Sequence, residues 1–346
     1  MCNLAGYVGS RPAAPILVDM MRRQEGWDCG HYTGMATLDR GKLHMEKVIG
    51  DLDTFLERIP LEKLPGNIGI IHGRTPGCDG ERDDRWGHPF LATGGRMALA
   101  VNGYGGVFAN TNNELRQQLY MKLREEGYEF TTLSQYSARE KNRQLDGNYI
   151  HSSDMVTQLI QSYVDQGLDI TDAIEKVFLM IPSERVGLCL TEDAPECIVW
   201  GRMNYPMFTG HADHGMYMAT TPQAMPEDAR NICMITPLST GKTYCDRLET
   251  HPFKESTYTV APITPSVWKA CYEAMEEKLT QEETNHDALD RLIRPLFSEA
   301  TCPPESAVNY AIMNQFEREG RLEIIRSYRP GTAPGSLAPK LTAKMK

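Results

Sequence analysis

The chain has 346 residues, 41% of them hydrophobic and 24% charged, with a formal net charge of −10 at neutral pH. That length suits one large domain plus a smaller one, or two medium ones, and the acidic excess argues against nucleic-acid phosphates and anionic membranes as partners, which need clustered Lys and Arg. Nine cysteines without a CxxC pair or metal-ligand spacing suit free thiols in a reducing compartment. No apolar run approaches the roughly 20 residues of a membrane helix, so a cytoplasmic protein without a membrane span is expected.

In chain order, MCNLAGYVGS reads as a strand headed by Cys2. The following APILVDMMRRQ sets Ile16, Leu17, Met20 and Met21 at helical spacing, and TGMATLD and KLHMEKV are strands joined by the turn DRGK. DLDTFLERI is a short helix, and NIGIIHGR is a buried strand ending on Arg74. Gly, Asp, Arg and Pro mark a loop from Thr75 to Gly87. RMALAVNGYGG is a second buried strand that breaks at Asn102-Gly103, and NNELRQQLYMKLREEG is a helix capped by an Asn and closed by Gly127.

Residues 153–166 and 171–181 read as helices, and VGLCLTED, ECIVWGR, PMFTG, MYMATT and ICMIT as a run of short strands. Beyond residue 264 the pattern is helical, through SVWKACYEAMEEKL, ALDRLIRPLF and ESAVNYAIMNQFEREG, and residues 330–346 (PGTAPGSLAPKLTAKMK) read as a disordered tail. Helices and strands fall in blocks, which predicts an α+β fold of antiparallel sheets covered by helices. STGKT (239–243) lacks the first glycine of a Walker loop and reads as a turn; HADH (211–214) lacks a third ligand and reads as polar loop. No metal and no cofactor is implied.

Cys2 stands directly behind Met1, and a side chain that small permits removal of the initiator. The thiol would then share a residue with an α-amine titrating near pH 8, of which about a tenth is neutral base at pH 7. A weak nucleophile needs such a base, and an N-terminal residue supplies its own.

Taken in order and spacing, MCNLAGYVG, IIHGR, GHPF, VNG and HSSDMV resemble the glutaminase domain of class II glutamine amidotransferases, which are N-terminal-nucleophile (Ntn) hydrolases. Cys2, Gly6, Tyr7, Val8 and Gly9 match the family's opening, with Asn3 in place of a glycine. The resemblance implies a four-layer αββα sandwich over residues 2–260, followed by a small helical region (261–329) and the tail. It puts Cys2 in the role of nucleophile. Arg74 falls on the arginine that clamps the glutamine carboxylate, a fork suited to bidentate pairing, and His72 and His88 fall beside the substrate. Asn102, through its side-chain amide, and Gly103, through its backbone N–H, fall on the oxyanion donors.

Several departures bear on the substrate. The family's Arg-Trp-Ala-Thr-His-Gly loop is here RTPGCDG, residues 74–80, without the indole and threonine that close over glutamine. The family's arginine near the nucleophile falls at Trp27 and Asp28. For the aspartate that holds the glutamine α-ammonium, hydrophobic spacing selects Ser152, with Asp154 on the neighbouring glutamate, whereas a one-for-one match keeps Asp154; an insertion, residues 134–150, precedes this segment. No synthase module is recognisable after residue 260, so a separate synthase subunit or a second copy of the chain would be the partner. The function implied is hydrolysis of glutamine or a related small amide through a thioester, with ammonia released or transferred. The alternatives are a hydrolase of a different small amide and a catalytically silent binding or regulatory subunit.

Overall fold

The computed structural model describes residues 2–76, 83–103, 112–135, 143–254, 256, 258–297 and 302–346. Cys78, and with it most of the RTPGCDG segment, lies outside them, as does much of the insertion at 134–150.

Two sheets form the centre. One has seven strands in the order β11 (Arg230–Met234), β9 (Phe208–Ala212), β10 (Gly215–Ala219), β1 (Asn3–Gly9), β4 (Ile68–Arg74), β2 (Tyr32–Asp39), β3 (Lys42–Ile49). The other has six, in the order β13 (Leu248–Pro252), β12 (Ser239–Thr243), β8 (Ile198–Met203), β7 (Arg185–Thr191), β6 (Met97–Gly103), β5 (Phe90–Leu91). Pairing within both is antiparallel.

The period of two in each strand sorts side chains between cores. Leu4 and Val8 of β1, Ile68 and Ile70 of β4, Ala98 and Ala100 of β6 and Ile198 and Trp200 of β8 meet between the sheets. Their alternates face outward under helices: Ala5, Tyr7 and Ile71 on one side, Leu99, Val101 and Cys189 on the other. Strands buried on both faces read as unbroken apolar runs, which is why NIGIIHGR and RMALAV lack an amphipathic pattern.

Helix α1 (Ala13–Gln24) and α2 (Leu52–Arg58) cover the first sheet, joined by the C-terminal helices α6 (Pro265–Gln281), α7 (His286–Ile293) and α8 (Glu305–Arg318). The second is covered by α3 (Asn113–Glu125), α4 (Ser152–Asp165) and α5 (Ile170–Met180). The result is an αββα sandwich. Caps set several helix starts: Asp51 accepts from Thr54 N (3.0 Å) ahead of α2, and Asn112 accepts from Leu115 N (3.2 Å) ahead of α3. Among the described residues no helix is long and apolar enough to cross a membrane.

Two expectations are corrected. STGKT is not a turn but strand β12, held between β8 and β13. The final segment is not disordered: β14 (Leu322–Pro330) and β15 (Leu337–Met345) form a hairpin. Ala338, Leu341 and Ala343 are buried, Leu341 N donates to Gly26 O (2.8 Å), and Ala343 exchanges hydrogen bonds with Thr284. Small, Pro- and Lys-rich residues hid an apolar face that needs a partner from the chain's first thirty residues. The 261–329 region is accordingly helical only as far as α8.

Candidate active site

Cys2 sits at the head of β1, where the antiparallel neighbour β4 sets Gly73 opposite Asn3. The chain leaving β4 therefore passes the thiol: Thr75 N donates to Cys2 Sγ (3.4 Å), and Thr75 Oγ1 lies 3.6 Å from it. Thr75 was not among the expected site residues, although it directly follows Arg74.

Asn102 comes from the opposite sheet. On β6, Ala98 and Ala100 face between the sheets, so Asn102 shares that face and Gly103 the other. Its Nδ2 donates to Cys2 O (2.9 Å) and to Thr220 Oγ1 (2.8 Å). One bond fastens the Cys2 main chain and the other the Thr220 hydroxyl. Thr220, just past β10, also accepts from Leu4 N (2.9 Å), and its N–H meets Leu4 O (2.9 Å). One hydroxyl joins the start of β1 to Asn102. The sequence carries no local signal for it, because its partners are distant along the chain. Gly103 has φ +133°, and a Cβ there would lie 2.3 Å from Glu184 O, so only glycine fits.

Arg74 is 7% exposed; Nη1 donates to Trp86 O (3.0 Å) and the guanidinium lies over the Tyr32 ring, 4.8 Å from its centroid. Behind it stand three imidazoles. His72 and His88 are enclosed, their Nδ1 atoms 3.3 Å apart, and the His88 and His151 rings meet edge-on at 5.1 Å. Burial, then the Arg74 charge, pushes His72 down to about 3. Burial and cationic neighbours hold His88 and His151 well below the usual imidazole range. The trio is neutral at physiological pH and titrates too low for proton transfer there. The backbone of His88 fits because residue 34 is glycine: a Cβ there would fall 2.0 Å from His88 O. Lys47 secures the same loop by donating to the carbonyls of Arg85, Gly87 and Pro89 (3.1, 2.9 and 3.1 Å).

Asp154 and Ser152, one turn of α4, part company. Asp154 is fully buried: Oδ2 accepts from Thr132 N and Oγ1 (both 2.8 Å), and Oδ1 from Gln158 Nε2 (3.3 Å). Ser152 instead lines a pocket together with Gly103, Ser153, Ser183 and Arg185.

Where the family's arginine was sought, at Trp27 and Asp28, the structure brings in the C-terminal region. Asp28, His286 and Asp287 hold ligand-type atoms within 4.8 Å of one another, the one such trio among the described residues. Arg329 Nη1 lies 3.8 Å from Asp28 Oδ1 and already supplies positive charge, which weakens the case for a metal ion there. His214, from HADH, is engaged by Tyr7 Oη (2.9 Å) and Asp228 Oδ2 (2.9 Å).

No family model matches the chain. Glutamine–fructose-6-phosphate aminotransferase (isomerizing) of Caldanaerobacter subterraneus is 28% identical over 238 residues, covering 67% of this chain and 33% of that protein. The like-named protein of Pyrococcus horikoshii is 28% identical over 226 residues, covering 64% and 32%. The chain thus spans about a third of the length of the curated relatives it matches. Among solved structures, glutamine phosphoribosylpyrophosphate amidotransferase from B. subtilis superposes with a TM-score of 0.58 at 16% identity, over 81% of this chain and 58% of that one. A structure described as the allosteric regulatory enzyme of purine biosynthesis gives 0.59 at 16%, over 90% and 63%. Over about two thirds of its length the chain is similar to these glutamine-using aminotransferases, and its fold is that of the solved amidotransferase.

The αββα layers are shared with these solved structures. The matched motifs cluster at one end of the sandwich: β1 brings Cys2, β4 leads to Arg74 and Thr75, and β6 brings Asn102 and Gly103. Of the departures, Ser152 stands at the start of α4, Asn3 lies in β1 beside Cys2, and Asp28 meets the C-terminal region through Arg329.

Proposed function

We propose that the chain is an N-terminal-cysteine amidohydrolase of the glutamine amidotransferase type. The observation that carries this is the clamp on Cys2: Asn102, from the second sheet, binds its carbonyl at 2.9 Å while Thr75 touches its sulfur. Once Cys2 heads the mature chain, its thiolate attacks the amide carbonyl and its α-amine takes the thiol proton, directly or through a water. The C–N bond breaks, that proton goes to the leaving nitrogen, and ammonia departs from a thioester. Water then cleaves the thioester and restores the thiol. Gly103 N–H, with Asn102 once its amide turns from the Cys2 carbonyl, stabilises the oxyanion, and Arg74 binds a carboxylate after releasing Trp86 O. Ammonia goes to water or to an acceptor held by a partner subunit.

A second reading, a hydrolase for an amide other than glutamine, is favoured by Asp154. With both oxygens occupied by Thr132 and Gln158, it offers no free charge to an α-ammonium.

Intact mass of the purified protein, before and after treatment with the diazo ketone of glutamine and its deamino counterpart 6-diazo-5-oxohexanoate, tests the proposal. Loss of Met1 and one adduct on Cys2 from either reagent are expected. Retention of Met1, or no adduct from either, leaves only a scaffold for binding or regulation.

A further inference from the structure

Arg185 is a buried cation that the chemistry at Cys2 leaves unused. It begins β7 directly opposite Gly103 in the sheet register and is 3% exposed. Nε donates to Ser183 Oγ (2.8 Å), Nη2 donates to Ile181 O (2.7 Å), and the guanidinium lies 5.3 Å from the Phe178 ring centroid. These contacts orient the fork but supply no opposite charge. Among the described residues no carboxylate lies within ion-pairing distance. Burial lowers Arg185 only to about 10, so it remains a cation at neutral pH. A desolvated, uncompensated cation costs several kcal/mol, an expense explained when a counter-ion arrives from outside.

The pocket that Arg185 lines has a second attraction for anions. Its opposite wall is the first turn of α4, a 14-residue helix whose dipole is positive at that end, and Ser152 and Ser153 add hydroxyls there. The acidic residue of that turn, Asp154, is turned inward onto Thr132 and Gln158. The third wall is Gly103, one residue from the Asn102 amide that reaches Cys2. A ligand in the pocket therefore lies on the α4 face of β6, across the strand from the Asn102 amide that reaches Cys2.

We propose that this pocket receives a carboxylate of the molecule whose amide Cys2 attacks, bound by Arg185 and the Ser152–Ser153 end of α4, so that the substrate is the amide of a small polycarboxylic acid rather than of an α-amino acid. The inference rests on the reading of Cys2 as an amide-cleaving nucleophile. Arg185 acts as a specificity-determining residue: where an ammonium group would meet a second cation, a carboxylate completes an ion pair.

The test compares kcat/KM for glutaramate, L-glutamine and the neutral pentanamide in the wild type, Arg185→Met, Arg185→Lys and Ser152→Glu, the last at an exposed position that tolerates substitution. Glutaramate is expected to be the best of the three. Arg185→Met and Ser152→Glu should each lower its kcat/KM by about 10- to 100-fold with little change for pentanamide, and Arg185→Lys should restore part of the loss. An equal loss for glutaramate and pentanamide in both variants, or a wild type that prefers L-glutamine, overturns the inference while leaving Cys2 a nucleophile. Calorimetric titration of glutarate, with inorganic phosphate as the general-anion control, reads the pocket without turnover. Binding of glutarate that Arg185→Met weakens at least tenfold supports the site even if no amide is cleaved, in which case the reading of Cys2 fails separately. Glutarate binding no tighter than phosphate, or unchanged in Arg185→Met, overturns it.

Discussion

The two ends of the proposed substrate path are built differently. At the Cys2 end the side chains hold one another: Asn102 and Thr220 fix the first residues of β1, and Thr75 meets the sulfur. At the Ser152 end, Asp154 is withdrawn into the interior and Arg185 is left facing a pocket without a counter-charge among the described residues. Hydrogen bonds between side chains of different strands fix geometry, and a buried cation without a counter-charge invites an anion. The comparison teaches that one sandwich can tie its first strand down with cross-strand hydrogen bonds and still leave a buried cation beside a pocket at the start of α4.

The sharpest way to break that comparison is at the nucleophile. Cys2→Ala should abolish amide cleavage and leave the intact mass unchanged by either diazo ketone, while circular dichroism stays that of the parent. Next, Asn102→Ala should lower kcat by about 10²- to 10³-fold if the amide serves the oxyanion, whereas a role confined to clamping Cys2 would appear mainly as a lower melting temperature. Gly103→Ala forces a Cβ to 2.3 Å from Glu184 O at φ +133°, and urea unfolding should report a loss of about 2–4 kcal/mol. Thr220→Val leaves Leu4 N and the Asn102 amide short of an acceptor, a loss of about 1–3 kcal/mol by the same assay.

The imidazoles behind Arg74 join the two ends and give a pH signature. His72, His88 and His151 are held below their unfolded value near 6.5, so below that pH the unfolded chain binds protons that the folded chain refuses. Stability is full above pH 6.5 and falls as the pH drops beneath it, by up to about 1.4 kcal/mol per pH unit for each imidazole. In His88→Phe the slope of stability against pH between 6 and 4.5 should shrink by about one proton's worth. An unchanged slope would show that His88 does not resist protonation in the folded chain.

How far the sequence foretold all this follows the same division. MCNLAGYVG, IIHGR and VNG are short contiguous segments whose order resembles that of one family, and that resemblance implied Cys2, Arg74, Asn102 and Gly103 and the four layers, while the blocks of helices and strands implied antiparallel sheets covered by helices. Thr220 and Arg185 could not, because a threonine after MYMA and an arginine before VGLCL acquire meaning only through partners on other strands. Asp154 looked available because composition does not reveal that Thr132 and Gln158 consume both its oxygens. The β15 strand was missed for a related reason: alanine, proline and lysine signal disorder until Gly26 and Thr284 are seen to pair with Leu341 and Ala343.

The place of β1 in its sheet has a consequence for biosynthesis. It is zipped on one edge to β4 and on the other to β10, with Ala5 opposite both Ile71 and Ala219. A ribosome must therefore translate beyond Ala219 before the second edge of this strand is sealed. Through that interval the segment bearing Cys2 stays within reach of maturation enzymes, which have their opportunity before the sandwich shuts.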